Sequence, residues 1–149
     1  MMLAHYIELR VFCNPEDSKE SVYKKLLFFL PFDLDKEKVH VKQKNAVGFK
    51  ERKIVIMNVE LKKQRHINQF LKNLAENLSN EQKELILKQV EARVDERLCL
   101  YMRFDKDKLV KENTLWLTDK GSCYHLKIVL AAFPKKKEKA LEVVSEILN

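Results

Sequence analysis

The sequence has 149 residues, of which 34% are charged and 46% are hydrophobic. The length is close to that of one domain, and the composition is too apolar for a disordered chain and too charged for a membrane protein. Lys and Arg number 29 against 22 Asp and Glu, so the formal charge of +7 creates a long-range field that favours polyanions.

The first predicted element is a strand over residues 5–13, where Ile7, Leu9 and Val11 alternate with polar positions. Residues 14–17, Asn-Pro-Glu-Asp, are typical of a helix start with Asn14 as the N-cap, and this helix is predicted to end near Pro31. Residues 39–49 and 53–63 then predict two strands joined by a loop.

The second half predicts two helices, three strands and a last helix. Apolar residues between Ile67 and Leu78 recur at helical spacing, and Ser79 with Gln82 forms a capping box for a further helix reaching Val94. Residues 98–104 alternate as a strand, 114–118 and 123–132 predict a closing hairpin, and 134–148 a helix. The predicted order is β-α-β-β-α-α-β-β-β-α, an α+β fold in one domain over residues 1–149.

Motifs for a membrane span, a metal site or a nucleophile are not evident in the sequence. No segment reaches the roughly 18 consecutive apolar residues of a membrane span, and there is no signal-like N-terminus, so we expect a cytoplasmic protein. The three cysteines and four histidines stand apart from one another, which predicts neither metal nor cofactor. We therefore expect no enzymatic activity, although carboxylates brought together by the fold stay open as an alternative.

Strand alternation assigns a distinctive set of residues to one sheet face. If the apolar members of each strand face the helices, the other face collects cations and aromatic rings: Arg10, Lys62, Arg103 and Lys127 beside Tyr6, Tyr101, Trp116 and His125. Cations hold phosphates and rings stack on unpaired bases, so this pattern favours a nucleic-acid platform. Because Glu8 and Glu60 share the face, a solvated surface with ion pairs, or a dimer interface, is the alternative.

Two further basic clusters fall at predicted helix starts. Lys135, Lys136 and Lys137 would lie in the first turn of the last helix, where the helix dipole disfavours cations and a bound phosphate could compensate. Lys62, Lys63, Arg65 and His66 repeat the arrangement at the start of the middle helix. Flexible, hydrated side chains are the alternative at both places. A third cluster surrounds the first hairpin: Lys42, Lys44, Lys50, Arg52 and Lys53.

Five segments spread over nearly the whole chain resemble an archaeal family described as RNA-binding proteins and predicted exosome subunits. They read YIELRVFCNPED (6–17), KQRHINQFL (63–71), RVDE (93–96), LYMRFDK (100–106) and AFPKKK (132–137). The resemblance implies helices on one face of a largely antiparallel sheet, as in a ribosomal protein of the large subunit. It also implies a short Gly-containing turn after Glu96, where this sequence has Arg-Leu-Cys instead. Among charged positions, the sequence matches the family at Arg10, Arg103, Asp105 and Lys106.

The sequence therefore leads to two functional hypotheses. The first is a non-catalytic RNA-binding accessory factor in RNA processing or exosome-linked decay, with RNA and RNA-processing proteins as partners. The residues assigned to RNA are Arg10, Lys62, Lys63, Arg65, Tyr101, Arg103, Lys106, Lys127, Lys135, Lys136 and Lys137. The second is a protein-interaction module, such as a homodimer, that docks a partner through the sheet face or through Phe28 and Phe29.

Overall fold

A computed structural model describes residues 2–149 and contains five strands and seven helices. The strands are β1 (Ala4–Cys13), β2 (Lys42–Val47), β3 (Lys53–Leu61), β4 (Cys99–Asp105) and β5 (Cys123–Leu130). The helices are α1 (Lys19–Phe28), α2 (Leu34–Glu37), α3 (Gln64–Asn77), α4 (Asn80–Lys88), α5 (Val90–Arg93), α6 (Lys106–Glu112) and α7 (Lys137–Leu148). A single 3-10 turn, Phe49–Glu51, joins β2 to β3.

The five strands form one sheet in the order β2-β3-β1-β5-β4, and every neighbouring pair is antiparallel. β1 and β5 lie in its interior although they come from opposite ends of the chain. The last strand, β5, therefore pairs with the first, β1, over seven aligned positions, which joins the two halves of the chain in one sheet.

The core lies between the sheet and the helices, which pack on one face only. Ile7, Leu9 and Val11 of β1 are fully buried, in agreement with the alternation that predicted that strand. The ring of Phe29 lies 5.7 to 6.3 Å, centroid to centroid, from three buried rings on other elements: Phe70, Phe104 and Tyr124. The α+β class, with helices on one face of an antiparallel sheet, is therefore confirmed.

The segment after β4 differs from the sequence prediction. Residues 106–112 form α6, and the strand predicted at 114–118 is reduced to an isolated bridge between Leu117 and Phe104, on the outer side of β4 and not on β5. The Asp105 side chain accepts the Lys108 N–H at 2.9 Å, and Asn113 ends the helix in the left-handed conformation. These capping residues were present in the sequence, but the segment buries only two side chains and lacks a helical apolar stripe.

The other differences concern helix ends and one turn. The N-cap of α1 is Ser18, not Asn14, because residues 14–17 close a separate turn in which the Asn14 N–H donates to Asp17 at 2.8 Å. The helix predicted to follow the N-cap Ser79 and to reach Val94 is divided at Gln89 into α4 and α5. Leu98 has a φ of 63°, the left-handed region that favours glycine, where the family resemblance implied a Gly-containing turn.

A candidate nucleic-acid interface on the open sheet face

The sheet face that points away from the helices, which we call the open face, carries ordered rows of side chains across the strands. Register places Lys42 opposite Asn58, Asn58 opposite Arg10, Arg10 opposite His125, and His125 opposite Arg103. We call these five residues the basic row. Four of the five are basic, none is acidic, and at the usual strand spacing the row is about 19 Å long.

The carboxylates of the open face lie outside the basic row. Glu8 and Glu60 occupy the next row, where Glu8 faces Lys127 and Lys127 faces Tyr101. Arg10 contacts Glu8 at 3.5 Å, and Lys62 contacts Glu60 at 3.7 Å. Such exposed ion pairs contribute about 0 to 1 kcal/mol, which is too little to prevent either cation from turning to a phosphate.

Burial and charge set the protonation of the open face. Burial, together with the nearby Arg103 and Arg10, lowers the pKa of His125, so its imidazole is neutral at pH 7. Burial and the Glu8 and Glu60 carboxylates raise the pKa of Tyr6 to about 12. The row therefore presents two permanent guanidinium charges with a neutral imidazole between them.

A shallow concavity of about 340 Å³ lies over β1, β5 and β4 and contains the centre of the basic row. The side chains of Tyr101 and Arg103 separate it from a second concavity, whose far wall is formed by Gln89, Arg93 and Asp119. The Arg93 guanidinium donates to Gln89, and burial lowers its pKa. The open face thus continues past the edge strand β4 towards α5.

Strand alternation correctly predicted the open face for Tyr101, Arg10, Arg103 and Lys127. Lys62 lies one residue beyond the end of β3. Trp116 has the open-face orientation but lies at the outer margin, because its segment does not enter the sheet. Its carbonyl accepts the Asp105 N–H, and its ring lies 5.4 Å from the Lys108 ammonium.

The sequence assigned Lys106 to RNA, but its position in the structure contradicts that assignment. Its side chain is buried, at 2% exposure, and its ammonium donates to the Phe12 carbonyl and to Asp17 Oδ2 at 2.9 Å. A phosphate cannot reach a side chain in this position. Lys106 therefore ties α6 to the end of β1 and the turn that follows it.

The four residues of the basic cluster predicted at the start of α3 fall into two pairs with different surroundings. Arg65 donates two hydrogen bonds to Glu37 at 2.7 and 2.9 Å, and buried His66 contacts the same carboxylate at 2.8 Å. Both side chains are thus held by α2. Lys62 and Lys63 are exposed and line a small cavity beside Lys38 and Lys42.

Lys135, Lys136 and Lys137 follow β5, at the end of the sheet where β1 begins. Only Lys137 is within α7, since Lys136 is its N-cap and Lys135 precedes it, which corrects the expectation of three lysines in the first turn. The Lys137 ammonium donates to the Glu91 carbonyl at 3.0 Å. Lys135 and Lys137 line a cavity that also includes His5, Arg97 and the Asp95 carboxylate.

Phe12 and Lys42 are open-face residues that the sequence analysis did not place on this face. Phe12 follows the alternation of β1 by one further step, so continued alternation was the signal for it. Lys42 was assigned to the hairpin cluster, and only the order of the strands brings it into line with Arg10.

Neither a metal-binding cluster nor a membrane-spanning helix is found among residues 2–149. No three side chains among His, Cys, Asp and Glu come together in a way that could hold a metal ion. No helix in this range is long and apolar enough to cross a membrane.

Comparison with known proteins gives matches over nearly the whole chain. A family model described as "RNA binding" matches residues 6–147. An RNA-binding protein of Pyrococcus abyssi is 30% identical over 146 residues, which cover 98% of this chain and 94% of that protein.

Solved structures share the fold. A DUF54 crystal structure from Archaeoglobus fulgidus superposes with a TM-score of 0.81 at 29% identity, covering 97% of this chain and 99% of that one. A DUF54 protein from Methanothermobacter thermautotrophicus gives a TM-score of 0.78 at 24% identity and covers 99% of each chain. At that identity the second likeness supports the fold alone.

Proposed function

The chain belongs to the RNA-binding family whose model spans residues 6–147, and we propose that it binds RNA on its open sheet face without catalysing a reaction. The observation that carries the proposal is the basic row, in which Arg10 and Arg103 flank His125 with no carboxylate in line. Arg is suited to this role because its planar, permanently charged group can hold a phosphate with two hydrogen bonds.

Counterion release explains why a row of separate cations can bind RNA although each one contributes little within the protein. Each phosphate contact displaces condensed counterions, so several contacts made together give a large and salt-dependent affinity. Lys42 extends the row at one edge of the sheet, and Lys127 is available in the next row. Lys62 follows the end of β3 and adds a further exposed cation. Lys135 and Lys136, both exposed, extend the basic surface at the end of β5.

The same row argues against the second hypothesis, a homodimer through the sheet face. A two-fold interface brings identical patches together, so the Arg10 and Arg103 of one copy would face those of the other. The proposed Phe28 and Phe29 patch is not available either, because Phe29 is 2% exposed and packs in the core. We therefore keep RNA as the ligand of this face.

A charge-matched pair of double variants tests the proposal. Arg10→Gln with Arg103→Gln removes two charges from the basic row, whereas Lys72→Gln with Lys88→Gln removes two exposed charges from the helical layer. We expect the first pair to weaken binding and to reduce the slope of log affinity against log salt by about 1.4 for a single strand, from about 0.7 per contact. The second pair should leave both quantities close to those of the parent. Equal effects of the two pairs would refute a specific role for the open face.

We further propose an accessory role in RNA processing or exosome-linked decay, which is supported by the resemblance of the five sequence segments. In this role the protein brings RNA to a complex that supplies the catalysis. A tagged protein recovered from its native cells after nuclease treatment should retain exoribonuclease-complex subunits. Recovery of RNA before the treatment, with no such subunit afterwards, would contradict this role and leave RNA binding intact.

A further inference from the structure

We propose that the open face takes single-stranded RNA, laid diagonally across β4, β5 and β1 from Tyr101 to Phe12. This inference rests on the proposed function and names the form of RNA that the face accepts. It depends on nine open-face side chains, three from each of these strands, that register and side-chain alternation arrange in a three-by-three grid.

The centre of the grid is His125, with Arg10 and Arg103 on either side of it. Two opposite corners hold aromatic rings, Tyr101 on β4 and Phe12 on β1. The other two corners hold carboxylates, Glu8 on β1 and Asp105 on β4. Lys127 and Cys123 complete the middle strand.

This placement of charge favours one diagonal over the other. An RNA backbone that runs from Glu8 to Asp105 would cross the two carboxylate corners of the grid. One that runs from Tyr101 to Phe12 crosses the two ring corners and passes one carboxylate, Asp95, which accepts the Tyr101 hydroxyl. The favoured diagonal passes over His125 and between the two guanidinium groups, where phosphates are best held. From ordinary strand spacing and rise, its two ends are about 17 Å apart.

The two corner rings are exposed yet fixed in place. Tyr101 is 43% exposed and Phe12 is 40% exposed. The Tyr101 hydroxyl donates to Asp95 Oδ2 at 3.1 Å, and the centroid of the Phe12 ring lies 6.0 Å from that of His125. Because each ring is already held by a neighbouring side chain, a base can stack on it without the entropy cost of fixing the ring's conformation.

Rings in this position select for unpaired bases. In an RNA duplex the bases are stacked and paired with one another, and a protein meets mainly phosphates and 2′-hydroxyls. Only a single strand can turn base faces onto Tyr101 and Phe12 while its phosphates cross the centre of the grid. Both rings line the shallow concavity of about 340 Å³ over these three strands.

The test measures binding of a labelled oligouridylate and of an RNA duplex of equal length to the parent, to Phe12→Leu and to Tyr101→Leu. Each ring variant should bind the oligouridylate about 5- to 150-fold more weakly, with the salt slope unchanged because no charge is lost. The parent should bind the duplex at least about tenfold more weakly than the single strand, because the rings contribute only to the latter.

Two further variants separate stacking from general damage to the surface. Phe49→Leu removes an exposed ring in the turn between β2 and β3, away from the diagonal, and it should bind as the parent does. Tyr101→Phe keeps the ring and loses only the hydroxyl that contacts Asp95, so it should retain most of the affinity. Thermal unfolding of every variant establishes that the fold is intact.

The outcomes distinguish the two proposals. Parent-like binding by both ring variants, or equal affinity for duplex and single strand, overturns the diagonal path. If Arg10→Gln with Arg103→Gln still weakens binding in that case, the open face binds RNA in another form. If that double variant also binds normally, the proposed function fails as well.

Discussion

Replacement of Lys106 by methionine tests whether this lysine is structural, as its burial indicates, or an RNA contact, as its position in the sequence suggested. Methionine keeps an unbranched apolar stem and removes the ammonium that joins the Phe12 carbonyl to Asp17. We expect the variant to lose stability and, at temperatures where it is folded, to bind RNA as the parent does.

The magnitude follows from the burial of the two partners. Removing one member of a fully buried ion pair costs about 3 to 5 kcal/mol, because the other charge stays buried without compensation. Lys106 fits that case at 3% side-chain exposure, but the Asp17 side chain keeps 20% and thus some water. We therefore expect a loss of about 2 to 4 kcal/mol, or about 4 to 16 °C in Tm for a chain of this size.

The pH dependence provides a second check on the same pair. Burial alone raises the pKa of Asp17, but hydrogen bonds from Lys106 and from the Asn14 N–H outweigh it, and the net pKa is below the ordinary value. A carboxyl group with a lowered pKa in the folded state stabilises above its unfolded value, about 3.9, and this contribution disappears as the pH falls through the folded pKa. The difference in stability between parent and Lys106→Met should therefore be largest near pH 7 and shrink below about pH 4.

Urea unfolding at pH 7 and pH 3, with RNA binding measured at low temperature, is the assay. A variant as stable as the parent at pH 7 whose RNA affinity is nevertheless reduced would refute the structural role of Lys106.

Two further predictions concern single side chains. Because burial, Arg103 and Arg10 hold the pKa of His125 below the ordinary value of about 6.5, a phosphate bound over the basic row should raise it, so parent RNA affinity should increase as the pH falls below about 6.5. His125→Asn should remove that dependence, and a flat parent profile in binding titrations between pH 7 and pH 5 would contradict the reasoning. Tyr124→Phe removes a buried hydrogen bond to the Val22 carbonyl at 2.8 Å and should cost about 1 to 3 kcal/mol in urea unfolding. An unchanged unfolding midpoint would show that the carbonyl finds another donor.

The composition of the open face could be read from the sequence because side chains alternate along a strand whatever its neighbours are. Tyr101 and Arg103 needed only the parity of β4 to be assigned to the same face. The alignment of Lys42, Arg10 and Arg103 in one row could not be read, since it depends on the strand order and on the register of four pairings.

Lys106 shows a different limit of sequence interpretation. A lysine followed by Asp107 and Lys108 looks like part of a solvated surface, and its neighbours in the chain give no sign of burial. Its two acceptors, the Phe12 carbonyl and Asp17, lie 94 and 89 positions away in the sequence. Only the packing of α6 against the end of β1 brings them together.

The most direct test of the central claim, that the open face binds RNA, is an NMR titration of the methyl-labelled parent with oligouridylate at low salt. Ile56 and Val129 project from the open face beside Phe12 and Lys127, whereas Leu87 is 42% exposed on the helical layer. We predict that the methyl signals of Ile56 and Val129 shift progressively with added RNA, while that of Leu87 stays in place. Shifts at Leu87 with unchanged Ile56 and Val129 signals would place the RNA on the helical side and contradict the account.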